Sequence, residues 1–309
     1  MEDIIGSNVT IIRLLERLKG LTGFVSILGN DRRVAVFNRY EHILRVNGVT
    51  QWLCDQFKEF DRQSALLVSL LHDINRLPFA HNLEKEIGFD QAEDIALFFR
   101  KHDLSFDPSI VAGIRNMLKK EIDNDSLAKI VFTADSAVGF VEDPLFIITA
   151  LGYDEGFIPH DISRLLDIDF RDTFIKGSIA SLRGLFYSDP AAYMKQFNSF
   201  VHHCTVNFLI HHDSHKTLLV ERKDFKELRH QLKNEFLRVK VYPINNEQVS
   251  QGSRLAREIG LPAIYLMKKN GQDSLSVLAS MTDNDLLNYA YKNMIINEIE
   301  SFFPHLPTR

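Results

Sequence analysis

This sequence of 309 residues has few cysteines, no long apolar run and no excess of positive charge. The two cysteines, Cys54 and Cys204, cannot build a disulfide framework for a chain of this length, so we expect reduced thiols. No apolar run approaches the roughly 18 residues that a membrane-spanning helix needs. The formal net charge of −5 leaves no global basic field to attract nucleic acid.

The first ten residues, MEDIIGSNVT, lack the basic segment and apolar core of a signal peptide. Hydrophobic residues make up 45% of the chain and charged residues 25%, which is the balance of a soluble globular protein with a sizeable core. We therefore expect a cytoplasmic protein that does not bind membranes.

Apolar residues recur at helical spacing through most of the first half of the chain. The pattern predicts helices over residues 9–20, 39–60, 64–74, 90–101, 107–120 and 127–143, the last capped by Asp125 or Ser126. Asp61 is the predicted N-cap of the third of these, and Pro144 is predicted to stop the last. Residues 75–90, interrupted at Pro78 and Gly88, are expected to be irregular.

The last third of the chain has a more mixed pattern. Short runs typical of β-strands occur at 217–220, 238–242 and 263–267, between charged segments that favour helix. The sequence predicts a mainly α protein with a smaller mixed α/β C-terminal part. We place the boundary between residues 1–204 and residues 205–309.

Candidate metal-ligating and proton-transfer residues are concentrated in the stretch LLHDINRLPFAHNLE at 70–84. His72 and Asp73 end an apolar helix, and His42 and Asp135 lie on apolar faces of two other predicted helices. An acid inside an apolar helix is costly unless it is paired or binds a metal. Two imidazoles and two carboxylates suit one divalent ion such as Mn, Mg, Fe, Ni or Zn. His81 and Glu84, one helical turn apart, are suited to proton transfer beside it.

These residues resemble the HD-domain phosphohydrolases, and among them the branch of deoxynucleoside triphosphate (dNTP) triphosphohydrolases. NRYEH at 38–42 is similar to the N-R-[FY]-E-H segment of that branch. HDINRLPFAHNLE at 72–84 is similar to H-D-[IL]-G-H-x-P-F-x-H-x-x-[DE], and TADSAVGFVED at 133–143 to A-D-D-I-A-Y-x-x-x-D. The resemblance covers about residues 9–145 and implies an HD-type helical bundle.

The resemblance implies a role for each matching position. The implied metal ligands are His42, His72, Asp73 and Asp135. Arg39 is the implied phosphate contact, and the implied proton-transfer pair is His81 and Glu84. Arg76 does not match the family pattern, but its positive charge makes it a second candidate for contact with the phosphate.

The chain departs from the pattern at Asn75 and Arg76, which stand where the family has Gly-His, and at Ser136, which replaces a second Asp. The implied activity is hydrolysis of a dNTP to nucleoside and tripolyphosphate by a homo-oligomer. Two alternatives stay open, another HD-family nucleotide phosphatase or phosphodiesterase, and a regulatory protein that binds a nucleotide without turnover.

A second group of histidines lies between His202 and His215. His211 and His215 have the spacing of a chelating pair on a helix. No second cysteine or acidic pair accompanies them at zinc-finger spacing. A polar surface, a subunit contact or a contribution to substrate binding is favoured over a metal site, and the role of these histidines stays open.

Overall fold

The computed structural model of the chain describes residues 8–21, 38–150, 168–169, 172–212, 218–221, 227, 231 and 256–293. Within these ranges the α-helices are α1 (Val9–Arg17), α2 (Arg39–Gln56), α3 (Arg62–Leu71), α4 (His81–Ile87), α5 (Gln91–Lys101), α6 (Pro108–Lys119), α7 (Ser126–Ala150), α8 (Thr173–Ser188), α9 (Pro190–His212), α10 (Leu261–Lys269), α11 (Ser274–Leu278) and α12 (Asp283–Asn293). Single turns of 3₁₀ helix span Leu18–Gly20 and Leu219–Glu221, and Ala256–Gly260 is a π-helical turn.

Side-chain caps explain why several helices begin where they do. Asn38 accepts a hydrogen bond from the Glu41 amide at the start of α2. Asp61 caps α3, as predicted, and Asp107 caps α6 in the same way. Each cap satisfies an amide that has no acceptor within its own helix, so these starts are fixed by local sequence.

Helix α7 is the central element of the fold. It packs against α2, α3, α6, α8 and α9, and its buried face includes Ile130, Val131, Ala134 and Val138. The prediction that it ends before Pro144 is wrong, because the helix continues through the proline to Ala150. A proline inside a helix costs about 3 kcal/mol. Burial of Leu145, Phe146 and Ile148 after it offsets that cost.

The predicted mixed α/β C-terminal part is not supported. Residues 263–267 lie inside α10, where Ala263, Ile264 and Met267 are buried at helical spacing. Residues 219–220 belong to a 3₁₀ turn, and the predicted strand at 238–242 lies outside the described residues. No strand occurs in the ranges that the structure describes. Short apolar runs fit a strand or a buried helix equally well, so packing decided between them.

The proposed boundary at residue 204 falls within α9, which is continuous from Pro190 to His212. The division into two domains stays a prediction. No helix among the described residues has the length and apolar character to cross a membrane.

The region predicted to be irregular contains a short helix. Residues 73–80 form turns and residues 81–87 form α4, which Gly88 ends in the left-handed conformation at φ 65°. Phe79 and Ala80 also have positive φ, 59° and 42°. Non-glycine residues adopt such angles at a cost of about 1–3 kcal/mol each. The turn that leads into His81 is therefore strained.

Candidate metal centre

The four predicted metal ligands come together at the wall of one cavity of about 550 Å³. His42 lies in the first turn of α2, His72 follows α3, and Asp135 lies in the middle of α7. Helix packing thus joins residues that are up to 93 positions apart. The structure brings together every ligand that the motifs predicted.

The distances between the ligand atoms fit a shared ion. The Nε2 atom of His72 lies 3.8 Å from Asp135 Oδ1 and 3.9 Å from Asp73 Oδ2, and His42 Nε2 lies 3.0 Å from Asp135 Oδ1. Two atoms that each bind an ion at about 2.0–2.2 Å are separated by about 3–4 Å. Ligand atoms of His42, His72 and Asp73 all lie within 4.8 Å of one another.

The protonation of His72 is the strongest indication of a cation. Its Nδ1 lies 2.8 Å from the backbone carbonyl of Ser69, so Nδ1 carries a proton, and in the neutral ring Nε2 carries a lone pair. This Nε2 is buried and has no hydrogen-bond partner in the described part of the chain. A buried lone pair that faces two carboxylates is unfavourable by itself and favourable with a metal ion between them. The donor set therefore fits a divalent cation.

Glu142 orients the other imidazole and was missed in the sequence. Its Oε1 lies 2.5 Å from His42 Nδ1, which directs Nε2 of that ring towards Asp135 and His72. Arg45 donates to the second oxygen of Glu142 at 2.6 Å. Carboxylate–histidine pairs of this kind fix the ring orientation of metal ligands. The seven-residue spacing from Asp135 to Glu142, two turns of α7, is the sequence signal that points to it.

The electrostatics of this group favour the ionised forms of Asp135 and Glu142, whose pKa values lie below their usual range. Burial raises the pKa of Glu142, but His42 and Arg45 more than offset this and lower it to about 2. Burial lowers the pKa of His42, and Glu142 and Asp135 raise it to about 10. Burial and the adjacent Glu142 raise the pKa of Asp143 well above its usual range, so that carboxyl group is neutral.

Asp73 has a different environment, formed by two guanidinium groups. Its Oδ1 accepts from Arg76 Nε at 2.8 Å and its Oδ2 from Arg39 Nη1 at 3.2 Å. Burial raises the pKa of Asp73, and Arg76 and the neighbouring cations hold it well below its usual range. The carboxylate is ionised and available to a metal ion.

The structure separates the two candidate phosphate contacts. Arg76 is buried and its Nη1 also donates to Glu84 Oε2 at 2.8 Å, so its guanidinium holds two carboxylates in place. The side chain of Arg39 is 13% exposed and lines the cavity. Its Nε has no hydrogen-bond partner among the described residues. Arg39 is therefore the better placed of the two for an anionic ligand.

His81 and Glu84 are brought together as expected, with Arg76 between them. The Nδ1 atom of His81 lies 3.1 Å from Arg76 Nη1 and 3.4 Å from Glu84 Oε2. Its side chain is 68% exposed and lines the cavity, whereas Glu84 is buried. Because an arginine only donates, Nδ1 of neutral His81 accepts and Nε2 carries the proton.

The second histidine group is only partly described. His202 is half-buried, and the ring of His203 contacts Asn207 and Phe174. The side chains of His211 and His212 and all of residues 213–217 lie outside the described residues. Within the described ranges, the group formed by His42, His72 and Asp73 is the only one with metal-ligand geometry.

Comparison with known families agrees with this geometry. Residues 39–137 match a family model described as the HD domain. The match begins at the first residue of α2 and ends two residues after Asp135, so it spans all four predicted ligands. It supports the superfamily of metal-dependent phosphohydrolases for this stretch. No curated protein matches the chain.

Proposed function

We propose that the chain, whose residues 39–137 match the HD domain, is a metal-dependent phosphohydrolase that acts on nucleotides. The activity it most resembles is that of a dNTP triphosphohydrolase, which releases a nucleoside and tripolyphosphate. The observation that carries the proposal is the buried lone pair of His72 Nε2, 3.8 and 3.9 Å from two carboxylates. The choice of a dNTP rests on the sequence motifs.

The cavity supports a substrate of nucleotide size. Its volume of about 550 Å³ lies within the usual range for small-molecule sites, about 300–1,000 Å³. The wall includes Arg39 and the proposed metal ligands, together with the apolar side chains of Phe132, Phe140 and Met117. A ligand with an anionic end and a flat apolar end complements such a wall.

The residues around the site have distinct roles in the proposed hydrolysis of phosphate. A bound divalent ion supplies Lewis-acid polarisation of a phosphate oxygen and lowers the pKa of a coordinated water towards 7. His42, His72, Asp73 and Asp135 would hold that ion. Arg39 stabilises negative charge on the phosphate, and it also orients Asp73.

His81 is the proposed proton-transfer residue. It reaches the cavity from the start of α4, and Arg76 and Glu84 fix its ring through Nδ1. Its Nε2 is left to exchange a proton with the substrate. We expect His81→Ala to lower kcat by roughly 10²–10⁴-fold while the metal content is unchanged. Unchanged turnover would remove His81 from the mechanism.

A panel of dNTPs and NTPs with Mn, Mg, Co and Fe, analysed by product chromatography, tests the activity. Nucleoside with tripolyphosphate supports the proposal. Free phosphate, or a monophosphate from a cyclic substrate, indicates instead another HD-family phosphatase or phosphodiesterase.

Metal analysis tests the centre independently of turnover. We expect His72→Ala to lose the metal, because its Nε2 lies between the two carboxylates. His102→Ala is the matched control, since the ring of His102 packs against Phe98 and does not line the cavity. Equal metal content in both variants would contradict the proposed centre.

The regulatory alternative has one observation in its favour. Arg76 stands where the family motif has a histidine, and Asp73 and Glu84 engage it. Bound metal without product from any nucleotide of the panel would favour a binding protein. Homo-oligomeric assembly, cytoplasmic location and the absence of nucleic-acid binding stay predictions from the sequence.

A further inference from the structure

The turn that carries His81 into the cavity has an unusual backbone. Phe79 and Ala80, the two residues before His81, both have positive φ, and Ala80 has ψ −131°. Phe79 is 1% exposed, so a bulky buried side chain accompanies the strained backbone. Such conformations persist only where surrounding contacts hold them.

One of those contacts comes from the far end of the chain. Asp283, the first residue of α12, accepts a hydrogen bond from the Phe79 amide at 2.7 Å. Asp283 is 4% exposed and lies 204 positions from Phe79 in sequence. A charge-assisted hydrogen bond of this length within a buried environment is strong.

A second buried contact strengthens the attachment. Arg17 of α1 donates to the carbonyl oxygens of Ile74 and Arg76 at 2.9 Å, and to that of Met281 at 3.0 Å. Its guanidinium therefore joins the turn after His72–Asp73 to the residue two positions before Asp283. The π-helical turn and α10 also pack against α4, which begins with His81.

We propose that Asp283 is a positioning residue that holds the Phe79–Ala80 turn and thereby places His81 in the cavity. Asp283 itself does not line the cavity. The inference rests on the proposed function, in which His81 transfers a proton. It assigns the residues after 255 a role in catalysis through the backbone of this turn.

Two substitutions of similar shape separate the hydrogen bond from the packing. Asp283→Asn keeps an oxygen that accepts from the Phe79 amide, and Asp283→Leu removes it. The probe is an equimolar mixture of the four dNTPs with Mn²⁺. We expect Asp283→Leu to lower kcat roughly 10–100-fold with KM and metal content within about threefold of wild type. Asp283→Asn should retain kcat within about threefold.

A matched control comes from the same segment. Asp273 accepts from Lys101 at 2.9 Å and caps α11, far in the chain from the His81 turn. Asp273→Asn should leave kcat unchanged. The inference would be overturned if Asp283→Leu had wild-type turnover. It would also be overturned if Asp283→Asn and Asp283→Leu lowered kcat equally.

Amide hydrogen exchange gives a measurement that does not depend on turnover. The Phe79 amide should be protected in wild type and exchange faster in Asp283→Leu, with a shifted NMR signal of the His81 ring. An unprotected Phe79 amide in wild type overturns the inference even when Asp283→Leu does not fold. If wild type releases no product, the proposed function fails, and the His81 signal still decides whether Asp283 positions that ring.

Discussion

At the scale of single residues, the two ligand imidazoles are prepared in different ways. His72 is oriented by a backbone carbonyl, and His42 by the carboxylate of Glu142. Both arrangements fix the orientation of the ring, and both direct Nε2 towards the carboxylates of the site. The site is therefore ordered by groups that do not bind the metal themselves.

The Glu142–His42 pair yields a prediction about metal affinity. Glu142→Gln removes the negative charge that orients His42 and pairs with Arg45, so we expect metal affinity to fall about 10–100-fold. Isothermal titration with Mn²⁺ measures this.

Glu41→Gln is the matched control for that substitution. Glu41 is a buried glutamate that precedes His42 in α2, and it accepts a hydrogen bond from Asn198 at 2.6 Å. The Glu41→Gln variant should bind Mn²⁺ with an affinity close to that of wild type. Equal affinity in the two variants would show that the orienting role is wrong.

Glu84 yields a prediction about pH. Burial raises the pKa of Glu84, but Arg76 and His81 lower it below the ordinary value of 4.5. Its ionised form therefore stabilises the fold above that pH, and this contribution is lost as the pH falls through the lowered pKa. Glu84→Gln should reduce the free energy of unfolding at pH 7.

Urea titrations at pH 7 and pH 3 measure the effect. The difference in free energy of unfolding between wild type and Glu84→Gln should narrow at pH 3, because Glu84 is then closer to its neutral form, whereas glutamine is neutral at both pH values. A difference that stays constant between the two pH values would exclude ionisation of Glu84 as its source.

At the scale of elements, α7 does the most to build the site. It supplies Asp135 as a proposed ligand and Glu142 as the partner of His42, on one face two turns apart. It continues through Pro144, so the residues that support Glu142 are helical on both sides. One rigid element thus sets the distance between a ligand and the group that orients another ligand.

Close packing at Gly20 yields a prediction about stability. A Cβ atom at Gly20 would lie 2.7 Å from Cβ of Thr282, in the segment that precedes α12. Gly20→Ala should therefore lower the free energy of unfolding by about 1–3 kcal/mol. Chemical denaturation measures this difference.

Gly184→Ala is the control with the opposite sign. Gly184 is an exposed residue inside α8, and a Cβ there would meet no described atom within 4 Å. Alanine should stabilise this helix by about 0.5–1 kcal/mol. Destabilisation of equal size in both variants would contradict the contact between Gly20 and Thr282.

At the scale of the whole molecule, chain segments remote in sequence enclose the site. Arg17 near the start of the chain and Asp283 near its end both bond to the turn between His72 and His81. The helices supply the proposed ligands. Residues near the two ends of the described chain hold the turn that leads from Asp73 to His81.

Metal binding should therefore stabilise the folded chain as a unit. A ligand that binds only the folded state adds about 2.7 kcal/mol at 100 times its dissociation constant. We expect Mn²⁺ to raise Tm by several degrees, and a chelator to reverse the change. Scanning calorimetry measures the shift, and Asp135→Asn should show little of it. An equal shift in that variant would indicate that the ion binds elsewhere.

The sequence predicted those parts of the structure whose causes are local. The cap at Asp61 and most of the helices from 39 to 120 follow from spacing. The four proposed ligands come from motifs, and the structure places their side chains at one cavity. Glu142 was missed because no motif assigns it a role, and its partner His42, 100 positions away, is not evident from local spacing. Residues 263–267 were mistaken for a strand because a run of five apolar residues is too short for its periodicity to distinguish a strand from a buried helix.

The spacing of Asp135 and Glu142 along α7 has a consequence for how the chain tolerates length changes. Each residue added to an α-helix rotates everything after it by about 100°. One residue inserted after Gly139 would leave Asp135 in place and turn Glu142 away from His42. Surface loops in general tolerate insertions and deletions, whereas the seven-residue interval within α7 is a fixed dimension of the molecule.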